Sequence, residues 1–225
     1  YGEYLESFPK DGDSPAMNYQ LADLLLENKS YGEAAAEYER TAYDYPAHEK
    51  AAAAGYAAVY AHRENLALAG QSQQAAVKRE VIRSSLKFAE TFPQHDKAAL
   101  VMGAALEDIY AMKDYAFAVT TGRKMIASFP AADQPLRRSA WLVVAHSSFE
   151  LSQFKDAEDG YVNVLQLTAQ NDATRASLVD TLAASIYKQG EQANQAQDYK
   201  TAAAHFLRVA QAAPTSKIRP TADYD

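Results

Sequence analysis

Residues 15–46 read PAMNYQLADLLLENKSYGEAAAEYERTAYDYP, and this stretch decides the fold. Tyr19, Leu21, Ala22, Leu24 and Leu25 recur at helical spacing in a first helix, with charges set between them. Asn28-Lys29-Ser30 makes a turn. Tyr31, Ala34, Ala35, Tyr38 and Ala42 then form the apolar stripe of a second helix at spacings of three and four. Pro46 ends that helix, because proline has no N–H to continue the hydrogen-bond ladder. The same aromatic–proline stop returns along the chain at Phe8-Pro9, Tyr45-Pro46, Phe92-Pro93 and Phe129-Pro130, with the prolines 37, 47 and 37 residues apart, and Pro214 closes a later unit. Self-similarity at this period marks a solenoid, in which each helix pair buries its apolar face only against its neighbours.

The first unit resembles the tetratricopeptide repeat (TPR). Asn18, Leu21, Ala22 and Leu25 stand at the family's first-helix packing places, and Ala34, Tyr38, Thr41 and Pro46 at those of the second, with Asn18 and Thr41 departing from the usual residue types. A third unit offers Met102, Ala105, Leu106, Ile109, Tyr115, Ala118, Gly122, Met125 and Pro130. The fourth offers Trp141, Val144, Ala145, Phe154, Ala157, Tyr161 and Val164, with Ala169 in place of the terminal proline. Two units are enlarged. The second places Tyr56, Ala57 and Tyr60 at the packing positions of its first helix, and the fifth pairs Leu182, Ala183 and Ile186 with Tyr199, Ala202, Phe206, Val209 and Pro214.

The resemblance implies an all-α, TPR-type right-handed superhelical solenoid of antiparallel helix pairs, with about five repeats. Its units fall at 15–49, 50–98, 99–137, 138–175 and 176–214 of a single solenoid segment spanning 1–225. Residues 1–14 read as the end of a preceding repeat and 215–225 as the start of a following one. The opening Tyr1-Gly2-Glu3-Tyr4-Leu5 reads as mid-helix, so the sequence is expected to be a piece of a longer TPR protein. Small residues at Ala22, Ala34, Ala57, Ala118, Ala145, Ala157 and Ala202 should let helices approach closely while aromatics fill the space between pairs. The extra residues of the enlarged units are polar-rich. Residues 64–73 are expected to extend the helices, and residues 190–197 to project as a mobile turn.

Chemistry is sparse in this sequence. Lys plus Arg number 22 against 29 for Asp plus Glu, a net charge of −7 that argues against a phosphate-binding surface and hence against nucleic acid. Without cysteine, thiol catalysis, disulfides and cysteine-ligated zinc are excluded. No apolar run reaches the ~18 residues of a membrane span. The five histidines, His48, His62, His95, His146 and His205, never stand at the spacing of a helical metal site, and Asp11-Gly12-Asp13 lacks the further ligands of a calcium loop. Glu107-Asp108 and Glu158-Asp159 are adjacent and so point to different sides of a helix. Neither a metal, nor a cofactor, nor an enzymatic reaction is expected.

The TPR resemblance implies that the first helix of each unit lines a concave groove. Carried over, this gives Tyr19, Asp23 and Glu27, then Ala54, Ala58 and His62, then Glu107 and Tyr110, then His146, Phe149 and Glu150, and finally Tyr187. An acidic, aromatic groove suits another protein or peptide carrying Lys or Arg. The expected function is therefore a protein–protein interaction scaffold. Aspartate-rich turns after Phe-Pro, as at Phe8 to Pro15, are similar to those of bacterial cell-envelope TPR proteins, which implies a periplasmic place, with the cytoplasm as the alternative. The second reading is a docking or regulatory domain of a polysaccharide-export or other multidomain machine. There a glycan could lie on an aromatic ladder of Tyr19, Tyr110, Phe149 and Tyr187.

Overall fold

The computed structural model describes residues 11–219 and 221. Phe8-Pro9, with the rest of 1–10, lies outside those residues, as do 220 and 222–225 of the expected following repeat. Ten α-helices are described: α1 (Ser14–Glu27), α2 (Tyr31–Tyr43), α3 (Ala51–Leu68), α4 (Gln74–Thr91), α5 (Ala98–Ala111), α6 (Tyr115–Ser128), α7 (Gln134–Glu150), α8 (Phe154–Gln166), α9 (Arg175–Gln195) and α10 (Tyr199–Ala212). No strand occurs among the described residues. Within unit 1, α1 packs on α2, α2 on α3 and α3 on α4, and within unit 2 α6 packs on α7, α7 on α8, α8 on α9 and α9 on α10, giving the all-α, TPR-like helical repeat that the sequence implies. The chain divides into two compact units, 1–108 and 109–225, and the boundary falls inside α5.

In unit 1 (1–108), Ala22, Ala34, Ala35 and Tyr38 of the first pair share a buried cluster with Ala58 and Ala61 of α3. Asn18 and Thr41, the two departures from the repeat pattern, are partners. Asn18 Nδ2 donates to Thr41 Oγ1 at 2.9 Å and to the Glu37 carbonyl at 2.7 Å, so both polar groups are satisfied while fully buried. The first turn of α1 follows Asp11-Gly12-Asp13, where Asp13 N donates to Asp11 Oδ1 at 3.2 Å.

The expected register of α3 is wrong. Tyr56 and Tyr60 are exposed, whereas Gly55 and the expected groove residues Ala54, Ala58 and His62 are buried. The cause is spatial. A Cβ on Gly55 would stand 3.0 Å from both the Phe88 and Phe92 rings and 3.2 Å from the Tyr43 hydroxyl, so rings of α2, of α4 and of the α4 C-cap fill the space next to α3. Only small residues fit on that face, and the helix's own tyrosines turn outward.

In unit 2 (109–225), one core cluster joins Ala145, Ala157, Tyr161, Val164, Leu178, Leu182, Ile186, Phe206 and Val209. Helices α7 and α8 cross closely at Gly160, where a Cβ would lie 2.7 Å from that of Ala145. The fourth repeat lacks its proline, and side chains from neighbouring helices close α8 instead. Arg175 Nη1 donates to the Leu165 and Thr168 carbonyls at 3.0 and 2.9 Å, and Gln134 Nε2 to that of Leu167 at 3.0 Å. The enlarged fifth pair also differs from expectation. Residues 190–195 are not a turn, because α9 continues as helix to Gln195. Gly190 holds it there: a Cβ would meet the Phe206 ring at 2.5 Å, and Ala193 packs against the core. Of the extra residues at 64–73, expected to extend the helices, 64–68 lengthen α3 to 18 residues and 69–73 form the connection to α4.

Four helix pairs close with the same turn. Lys29, Lys113, Ser152 and Gln197 take φ near 60°, the left-handed region. The next N–H in each case donates back five residues: Ser30 to Leu25, Asp114 to Ile109, Gln153 to Ser148 and Asp198 to Ala193. This is the Schellman arrangement, which satisfies the last carbonyls of the first helix. Only the elongated α3–α4 pair departs from it. The connections after each of the first two pairs also share a device: His48 Nδ1 accepts from Lys50 N, and His95 Nδ1 from Lys97 N, at 3.2 and 3.1 Å.

Candidate functional site

In unit 1, Tyr19, Asp23 and Glu27 gather round Tyr38. The Tyr19 and Tyr38 rings meet edge-on at 5.4 Å, and Tyr38 OH donates to Asp23 Oδ1 at 2.5 Å. Burial pushes the Tyr38 phenol up, and the carboxylates of Asp23 and Glu27 push it further, so the ring stays neutral. Lys50 Nζ stands 5.8 Å from the centre of the Tyr19 ring.

His62 is committed elsewhere. Its Nε2 lies 3.0 Å from Glu39 Oε1, and Arg83 Nη2 donates to both Glu39 oxygens at 2.9 and 3.0 Å. Burial alone would raise the Glu39 carboxyl. Hydrogen bonds from His62 and Arg83, with the guanidinium charge, outweigh it and hold the group at about 2. Three helices, α2, α3 and α4, are tied at this one carboxylate. Glu107 is exposed on α5, next to Asp108, which pairs with Arg63 at 3.3 Å and Lys78 at 3.8 Å.

In unit 2, Tyr110, His146 and Glu150 come together. Tyr110 stacks on His146 with centroids 6.3 Å apart and leans on Tyr115 at 5.9 Å. Burial lowers His146, with Glu150 partly opposing, and its Nδ1 lies within hydrogen-bond distance of the Tyr161 hydroxyl at 2.7 Å. Phe149 packs against Phe154 at 5.1 Å and Tyr187 against Phe206 at 5.2 Å. The rings of the expected aromatic ladder are thus each half-buried against a neighbour. Among the described residues no group of His, Asp and Glu could hold a metal ion, and no helix is long and apolar enough to cross a membrane.

Sequence reasoning missed the exposed apolar residues of the first helices in unit 1: Leu24 on α1, Tyr56, Tyr60 and Leu68 on α3, and Leu100 on α5. Three of them stand on the same side as an acid of their own helix, Leu24 one turn from Glu27, Tyr60 one turn from Glu64, and Leu100 two turns from Glu107. Gly55 was the available signal, since a glycine inside an alanine-rich helix marks the side on which another element approaches.

No family model and no curated protein matches the chain. Seventeen chains of solved structures do match. One is the crystal structure of a Signal Transduction ATPase with Numerous Domains (STAND) protein with a tetratricopeptide repeat sensor, from Pyrococcus horikoshii. It is 15% identical with a TM-score of 0.45, over 88% of this chain and 33% of that one. The chain therefore spans about a third of that protein's length. At that score the likeness carries no argument about function, and the fold rests on the helix pairs themselves.

Proposed function

We propose that the chain is a non-catalytic protein-interaction scaffold, and that the first-helix faces bind a peptide or partner segment bearing Lys or Arg. The observation that carries this reading is the pairing of large exposed apolar side chains with acids on the first helices of unit 1. Repeat packing does not require Tyr60 or Leu100 to be large, because their outer sides touch solvent, whereas Tyr56, though exposed, stacks on His95 and packs against Phe88. Exposed aromatics beside carboxylates offer ring faces and counter-charges to the stem and head of a basic residue. The chain's net charge of −7 points the same way.

The test is calorimetric titration of the chain with a library of extended peptides differing in Lys and Arg content. Binding should require basic residues, weaken with salt, and fall at least tenfold in Tyr56→Ala/Tyr60→Ala and in Glu27→Lys/Glu107→Lys. Equal binding by these folded variants removes the face as the site. A place in a larger bacterial envelope-associated protein belongs to the same proposal and rests on the acidic Phe-Pro turn chemistry. Fractionation of cells expressing the parent protein tests it, and recovery in the cytoplasm alone would sink it. No observation favours the glycan reading, since its four rings are occupied by neighbours.

A further inference from the structure

Helix α10 is tied into unit 2 by a run of polar groups that ends in a histidine. Glu158 of α8 is buried, yet both its oxygens are engaged. Oε2 accepts from Gln189 Nε2 of α9 at 2.6 Å, and Oε1 from Arg208 Nη2 of α10. Gln189 also donates to the Ser185 carbonyl at 3.2 Å, which steadies its amide within α9. Arg208 reaches back one turn, and its Nη1 lies 3.0 Å from His205 Nδ1. A guanidinium donates and never accepts, so Nδ1 is the acceptor here and carries no proton. The run His205, Arg208, Glu158, Gln189 thus spans three helices.

Unit 1 holds a node of the same plan with its histidine on the opposite side. Glu39 of α2 accepts from Arg83 of α4, and His62 of α3 stands against the carboxylate at 3.0 Å. A proton added to His62 leaves a donor facing Glu39. A proton added to His205 sets N–H against N–H and places a second positive charge beside Arg208. Water reaches His205 through an open cavity of about 430 Å³, lined also by Gln153, Lys155, Asp156, Gln189 and Gln192. The other charges there are committed, Lys155 to Asp159 at 2.5 Å and Asp156 to Arg123 at 2.9 Å. Burial lowers the His205 imidazole and the Arg208 charge lowers it further, with Glu158 partly opposing. Stability tied to the neutral ring is therefore complete above the ordinary histidine range and is lost as pH falls through the lowered value.

We propose that His205 is a proton-operated latch on α10. Neutral, it steadies Arg208 against Glu158 and keeps α10 fastened to α8 and α9. Protonated, it expels Arg208 from that geometry and loosens α10, while the Glu39 node of unit 1 stays closed. Mild acid thus acts on one end of an otherwise similar pair of nodes.

Amide hydrogen exchange of the whole chain between pH 7.5 and 4.5, corrected for the intrinsic rate at each pH, reads the latch. Protection of α10 should fall at least tenfold across that range, and that of α4, which carries Arg83, less than about twofold. The fall should follow the titration of the His205 ring observed by NMR. In His205→Asn the amide oxygen accepts from Arg208 and takes no proton in this range, so α10 should keep its protection. Should that variant not fold, the match between ring titration and α10 protection in the wild-type chain decides alone. Unchanged protection of α10, an equal fall in α4, a fall that persists in folded His205→Asn, or one that departs from the ring titration overturns the proposal.

Discussion

Replacing Glu39 by Gln removes a charge while keeping shape, at the carboxylate that joins α2, α3 and α4. In the folded chain its pKa is held at about 2, against an ordinary 4.5, which corresponds to about 3 kcal/mol. Glu39 is only 16% exposed, but its partner Arg83 is 46% exposed, and screening at that end reduces the worth of the node to about 1.5–2 kcal/mol. In a chain of this size that is a Tm loss of roughly 3–8 °C for Glu39→Gln. The sign with pH is fixed by the lowered value. The stabilisation is complete above the unfolded-state pKa and disappears as pH falls from about 4.5 towards about 2. Urea unfolding of wild type and variant, followed by circular dichroism at several pH values from 7 to 2.5, separates this carboxylate from all the others, because only the difference is read. A difference below about 0.5 kcal/mol at pH 7, or one that stays constant down to pH 2.5, refutes the assignment.

Gly160→Ala should cost about 1–3 kcal/mol in urea unfolding, because the Ala145 backbone stands in the way of its Cβ, whereas Gly32→Ala, with only Asn65 Nδ2 at 3.8 Å, should gain about 0.5 kcal/mol. Lys29→Gly and Lys113→Gly should each raise stability by up to about 1 kcal/mol by relieving left-handed backbone, and a loss at either would contradict the turn geometry. Asn18→Ala should cost about 1–3 kcal/mol, since it removes the donor to the buried Thr41 oxygen and one donor to the Glu37 carbonyl, although Thr41 still donates to that carbonyl. Asn18→Ala/Thr41→Val should show coupling in a double-mutant cycle.

Period, helix pairing and most of the core were legible in the sequence because aromatic–proline stops and alanine spacing are local signals. Ala22, Ala34, Ala118, Ala145, Ala157 and Ala202 are all buried as expected. Helix α3 was not legible: its first residues are nearly all alanine, so hydrophobic contrast could not choose a face, and the choice was made by rings of α2 and α4. Residues 190–195 misled for a similar reason. Their polar side chains read as loop, while Gly190 and Ala193 are held by Phe206 and the core, contacts that only the fold reveals. At the candidate site, the grouping of Tyr19, Asp23 and Glu27 follows from helical spacing alone. The capture of His62 by Glu39 depends on a pair of residues 23 positions apart, which spacing within one helix does not encode.

Two buried positions three residues apart on each second helix carry one larger and one smaller side chain. The pairs are Tyr38 with Thr41, Ser85 with Phe88, Gly122 with Met125, Tyr161 with Val164, and Phe206 with Val209. Where the first is an aromatic the second is small, and where the first is small the second is large. Arrays of near-identical modules are prone to misassemble by pairing a module with the wrong neighbour. Here a second helix docked one module out of place would set ring against ring at some seams and leave a void at others, each costing about 1–3 kcal/mol or more. The second and third modules are thereby marked off from the other three, so the order of stacking is written in part into side-chain sizes as well as into the order of the chain.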